Sequence, residues 1–194
     1  MRPIWRASLV AAAAMAVTAC GSGGDAPTAG STDPAAALPE PPPGYVARPE
    51  ESGGFDLDRY AAELSIAPDA DRAVLEAAGF TRGAVRAWSR AEGGVAVTVY
   101  VFGLGDAAGA AAVQEHFVVD GRELLGADAF EVPGIAGAHG ASYDRGTAAA
   151  PTRVHAVYLT SGPLFVNVLA SHLDTGAGPD VAVEFARRAA AAGR

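Results

Sequence analysis

From Phe55 onward the apolar positions of the chain follow two rhythms. Leu57, Tyr60, Ala61 and Leu64 recur at the three-and-four spacing of a helix face. Pro68-Asp69 opens a second helix, because proline suits a first turn and aspartate complements the positive end of the dipole. Ala70, Val74, Leu75 and Ala78 form its buried stripe. Gly79 is a C-terminal stop and Phe80 its hydrophobic contact. The rhythm then shortens to two. Residues 83–90 and 95–102 read as a hairpin joined through residues 91–94. Val95, Val97, Val99 and Val101 line one side of it; Ala96, Thr98, Tyr100 and Phe102 line the other. Asp106 caps a further helix, with Ala110, Val113 and Phe117 as its stripe.

The same grammar returns 69 residues later. Val85-Arg86-Ala87 aligns with Val154-His155-Ala156, Gly93 with Gly162, and Val95, Val97 and Val99 with Leu164, Val166 and Val168. Pro179-Asp180 then opens a helix with the stripe Val181, Phe185, Ala189. Residues 127–132 and 138–143 read as further strands. The pattern predicts an α+β fold: an antiparallel sheet built from two β-hairpin-helix units, with the helices packed on one face. Few identities link the two units, so the alternation alone does not separate a duplication from two ordinary hairpins. Tyr100, Phe102, Phe165 and Leu169 sit opposite the valines. The second face is therefore expected to carry another layer or a groove.

Ahead of this domain the pattern differs. Residues 1–6 carry Arg2 and Arg6, and residues 7–19 are apolar apart from Ser8 and Thr18. That length fits the core of a secretory signal and falls short of the roughly 20 apolar residues of a membrane-spanning helix. The segment ends in Val17-Thr18-Ala19-Cys20, which resembles the lipobox of bacterial lipoproteins. In that motif the small Ala19 lets the peptidase reach the backbone, and the Cys20 thiol takes the diacylglycerol thioether. The resemblance implies cleavage between Ala19 and Cys20 and anchoring through acyl chains such as palmitate, two or more of which hold stably. Cys20 is the only cysteine of the chain, so the exported part has no disulfide and must stand on its core.

Residues 20–54 are rich in glycine, alanine, serine, proline and acidic residues, with Gly21-Ser22-Gly23-Gly24 and Pro41-Pro42-Pro43 among them. Such composition predicts a disordered tether. The chain thus divides into a signal peptide (1–19), a lipidated N-terminus with its tether (20–54) and a single α+β domain (55–194).

Composition narrows the function. The net charge is −8, and every basic side chain apart from histidine is arginine. An acidic body without a basic cluster argues against nucleic acid and against a polybasic membrane patch.

Candidate chemistry is sparse. His116 follows Glu115, but neighbouring helical residues point apart and no H-E-x-x-H occurs. No two of His116, His139, His155 and His172 have ligand spacing, so no metal is expected, although two of them with Asp144 or Asp174 would be the set to collect one. Ser89, Ser142, Ser161 and Ser171 lie outside any G-x-S-x-G elbow. Asp56 with Asp58, and Glu123 with Asp128, read as solvated surface. Gly134, Gly137 and Gly140 do not match a dinucleotide loop. Trp88, Tyr100, Phe102, Tyr158 and Phe165 pack a core or line a groove. No catalytic residue and no cofactor is expected, and the ligand-binding residues are not readable.

Ala78-Gly79-Phe80-Thr81-Arg82-Gly83-Ala84-Val85-Arg86-Ala87-Trp88, Asp106-Ala107-Ala108-Gly109-Ala110 and Val132-Pro133-Gly134-Ile135-Ala136-Gly137-Ala138 resemble recurring phrases in small secreted lipoproteins of actinobacteria. The resemblance implies an exported α+β domain on a lipid anchor and carries no activity with it. The expected function is a binding, sensor or interaction module on the extracytoplasmic face of the cell membrane. Its expected partners are the membrane through acylated Cys20 and an envelope protein. The alternatives are a carrier of a small apolar ligand or lipid and, after that, a hydrolytic enzyme.

Overall fold

The computed structural model describes residues 33–193 apart from Ala91 and Gly93. Ala19 and Cys20 lie outside the described residues, as do the signal segment and the first part of the tether.

Two short strands come first, β1 (Val46–Ala47) and β2 (Gly53–Phe55). Helix α1 (Leu57–Arg59) runs into a π turn at Tyr60–Leu64, and α2 (Pro68–Ala77) follows. Next come β3 (Arg82–Arg90), β4 (Val95–Gly103) and α3 (Ala107–Leu125). The rest is β5 (Asp128–Phe130), β6 (His139–Thr147), β7 (Ala150–Ser161), β8 (Leu164–His172) and α4 (Asp180–Ala192). The strands form one open eight-stranded antiparallel sheet, ordered β1-β3-β4-β8-β7-β6-β5, with β2 also on β3. The α+β class is the one the alternation predicts. No helix among the described residues is long and apolar enough to cross a membrane.

Local chemistry sets the element ends. The Asp106 carboxylate accepts from the Gly109 amide at 2.8 Å and caps α3. Gly79 takes a left-handed φ of 69°, and the Phe80 amide closes α2 by donating to the Leu75 carbonyl at 2.9 Å. Phe55 and Phe130 each lie over a glycine of the neighbouring strand, Gly83 and Gly140, which leave room for their rings.

The two hairpins meet at the sheet centre, where Val99 pairs with Val168, its match at the offset of 69. A rough two-fold rotation through that pair relates them. The helices do not obey it. Helix α4 covers the valine face, where Ala182, Phe185, Ala186 and Ala189 pack with Val97, Val99, Val157, Val166 and Val168. Helices α2 and α3 cover the opposite face, where Leu75, Ala110 and Val113 pack with Phe102, Ala156 and Phe165. Placement on one face describes α2 and α3, while α4 supplies the second layer. The apolar character of both sides of β4, β7 and β8 is the cause, since neither face tolerates water.

The domain begins earlier than residue 55. Ala37 and Leu38 are buried in the core with Trp88 and Phe185. Tyr45 meets Phe185 edge-on at 5.1 Å, and Arg90 lies over the Tyr45 ring. Residues 46–47 and 53–55 hydrogen-bond to β3. This stretch covers an otherwise open sheet edge, and its few apolar side chains suffice because that edge offers them a ready partner.

Candidate functional site

On the α2–α3 face the sheet presents a row in register. Tyr100 of β4, Asn167 of β8 and Tyr158 of β7 stand side by side, because Asn167 pairs with both tyrosines. Tyr143 of β6 lies further along the same face. The π turn and α3 form the roof with Tyr60, Leu64, Phe117, Asp120 and Leu125. Between roof and sheet lies a cleft of about 140 Å³, with Ile66 and Arg145 also in its lining. Helix α3 passes close over it because Gly121 lacks a side chain: a Cβ there would lie 3.3 Å from the Tyr158 hydroxyl.

The cleft wall is polar at one end. Asp71 is buried on α2. One of its oxygens accepts from Ser65 Oγ at 2.6 Å and Tyr60 OH at 3.3 Å, and the other from His116 Nε2 at 2.7 Å. Asp120, one turn along α3, lies 3.4 Å from the same His116 nitrogen. One imidazole and two carboxylates thus converge with their ligand atoms within 4.8 Å of one another. The group is closed by its own hydrogen bonds, and both Asp71 oxygens are occupied.

Asn167 is the exception to this satisfaction. It is 7 % exposed, and its Oδ1 has no hydrogen-bond partner. A buried amide oxygen left without a donor costs about 1–3 kcal/mol. The four tyrosines have their phenols raised above the ordinary range, chiefly by burial. The Asp71 charge adds to this at Tyr60, and Tyr143 with Asp120 at Tyr158. The Arg145 charge opposes it at Tyr100 and Tyr143. The phenols therefore stay neutral and can donate. The cleft has an acidic end near Tyr60 and Tyr158, and a guanidinium at its exposed rim near Tyr100 and Tyr143.

The other histidines lie elsewhere. His155 and His172 are buried on the valine face with ring centres 5.5 Å apart. His155 Nε2 donates to the Ala177 carbonyl at 2.9 Å, and its Nδ1 accepts from Ser142 Oγ at 2.7 Å. Burial lowers the pKa of both rings. These are interior groups. His139 is exposed. Asp144 pairs with Arg153 at 3.1 Å, and Asp174 accepts from the Gly176 amide. Ser161 donates to the Gly193 carbonyl.

Of the aromatic candidates, Trp88, Phe102 and Phe165 are sealed in the core, and Tyr100 and Tyr158 line the cleft. Asp71, Tyr60, Tyr143, Asp120 and Asn167 escape a motif search. Two of them leave a trace: Asp71 interrupts the apolar stripe of α2, and Asn167 interrupts the apolar run of β8. A larger, more open hollow of about 470 Å³ lies beside β2 and β3. Its arginines, Arg82 and Arg86, already pair with Asp33 and Glu40, so it lacks an unpaired buried group.

Neither a protein-family profile nor a curated protein sequence matches the chain. Among solved structures, the extracellular domain of PknH from Mycobacterium tuberculosis aligns with a TM-score of 0.49 at 13% identity, covering 76% of this chain and 80% of that one. A likeness of that size carries no argument about function.

Proposed function

We propose that the protein is a lipid-anchored binding module of the extracytoplasmic membrane face that holds a small molecule in the cleft beneath α3. The observation that carries the reading is Asn167: a buried side chain between two tyrosines whose Oδ1 has no hydrogen-bond partner, in the wall of a cleft of about 140 Å³. A buried polar group left unpaired in the wall of a cleft is one that a ligand can pair. The lining mixes apolar rings with convergent polar groups, so the ligand is partly polar, not a pure hydrocarbon. The site favours binding over catalysis. Ser65 donates to Asp71 and not to His116, so its hydroxyl is not set as the nucleophile of a Ser-His-Asp arrangement. The address rests on residues 7–19 and on the lipobox-like Val17-Thr18-Ala19-Cys20.

Two measurements test the reading. Metabolic labelling with palmitate in an exporting bacterial host is expected to mark the wild-type chain and not Cys20→Ala; labelling of both overturns the anchor. Native mass spectrometry of the mature protein, released gently from membranes, is expected to show an adduct of defined mass that Asn167→Leu loses. An adduct retained by Asn167→Leu removes the cleft as the site.

A further inference from the structure

The polar groups of the cleft specify a ligand chemistry. Asn167 Oδ1 is an acceptor without a donor. Asp120 is half-buried in the lining and shares one distant contact with His116. Asp71 adds a second carboxylate behind it, already saturated. Around them stand the rings of Tyr60, Phe117, Tyr158, Tyr100 and Tyr143. Several of these rings are mutually packed: Phe117 lies 6.5 Å from both Tyr60 and Tyr158. Aromatic faces beside acidic groups attract organic cations. The single cationic side chain fixed in charge, Arg145, is exposed at the rim, where water screens it.

We infer that the cleft takes a small organic ammonium ion with a flat apolar body, its N–H groups donating to Asn167 Oδ1 and the Asp120 carboxylate. This rests on the reading of the cleft as a binding site. The aromatic walls hold the body of the ligand, and the acidic end selects its charge. An anionic ligand of equal size meets two carboxylates there and is rejected.

The test uses the mature, acylated protein in lipid nanodiscs, titrated by calorimetry with the heat of empty nanodiscs subtracted. Three probes of nearly one shape are compared: phenethylammonium, neutral 2-phenylethanol and phenylacetate. Phenethylammonium is expected to bind about tenfold or more tighter than either of the others, the size of one charge-assisted contact. Asp120→Asn is expected to erase that preference while leaving 2-phenylethanol nearly unchanged, a readout that a purely structural loss does not give. Arg145→Ala removes a like charge from the rim and is expected to strengthen phenethylammonium binding; weaker binding overturns the inference. If phenylacetate or 2-phenylethanol binds as tightly as phenethylammonium, and Asn167→Leu weakens that binding, the ammonium inference falls and the cleft stands. If no probe gives heat above the empty nanodiscs, both fall.

Discussion

The two faces of the sheet are made by the same strands and have opposite finishes. Under α4, Val97, Val99, Val166 and Val168 are wholly or almost wholly buried, and Phe185 closes the layer against Trp88 at 5.3 Å. Under α3 the ends of the strands are equally dry at Phe102 and Phe165, yet the middle opens at Tyr100, Asn167 and Tyr158. Small β-branched side chains pack closely against the alanine-rich α4. Phenols are longer and carry hydroxyls that seek partners. The first face is closely packed at its centre, and the cleft lies on the second.

The largest expected effect breaks the sealed face. Phe185→Ala is expected to cost about 3–5 kcal/mol, the range for truncating a buried phenylalanine. Chemical denaturation of the mature protein measures it. A cost near zero would mean that α4 is only loosely docked.

The open face is expected to respond in the other direction. Asn167→Leu removes an unsatisfied buried oxygen at similar volume, so it is expected to raise stability by about 1–2 kcal/mol while abolishing binding. Equal loss of both would make Asn167 a structural residue whose partner forms only in solution.

The smallest effect separates the faces by pH. His155 and His172 lie on the sealed face with pKa values lowered by burial, and the neighbouring ring and Arg90 add to the lowering at His172. Below the ordinary value of 6.5 the unfolded chain binds more protons than the folded one. The slope of unfolding free energy with pH is then positive, and stability declines as pH falls through that value. The Tm is expected to drop between pH 7 and pH 5, and less steeply in a His155→Gln His172→Gln variant. An unchanged slope in the double variant would assign the decline to other groups.

Much of the fold was legible because its signals are local. The alternation of residues 95–102, the Pro68-Asp69 and Asp106 helix starts, and the Gly79-Phe80 stop each need only their neighbours. The folded start reads as tether in the sequence, since Ala37 and Leu38 are unremarkable in a Pro/Ala-rich stretch until Trp88 and Phe185 are placed beside them. The candidate site was scarcely legible. Asp71 and His116 lie 45 residues apart, and Tyr100 and Asn167 meet only through the β4–β8 pairing.

From residue order alone came the main helices and the strands of the two hairpins, the α+β class, the matching hairpins and the expectation of a lipid anchor at Cys20. These rest on periodicity and short motifs, which act over a few residues. Tertiary structure decided which face each helix covers, where the domain begins and which side chains form the cleft. Those outcomes depend on the order of strands in the sheet. That order brings distant residues into register, and no spacing along the chain encodes it.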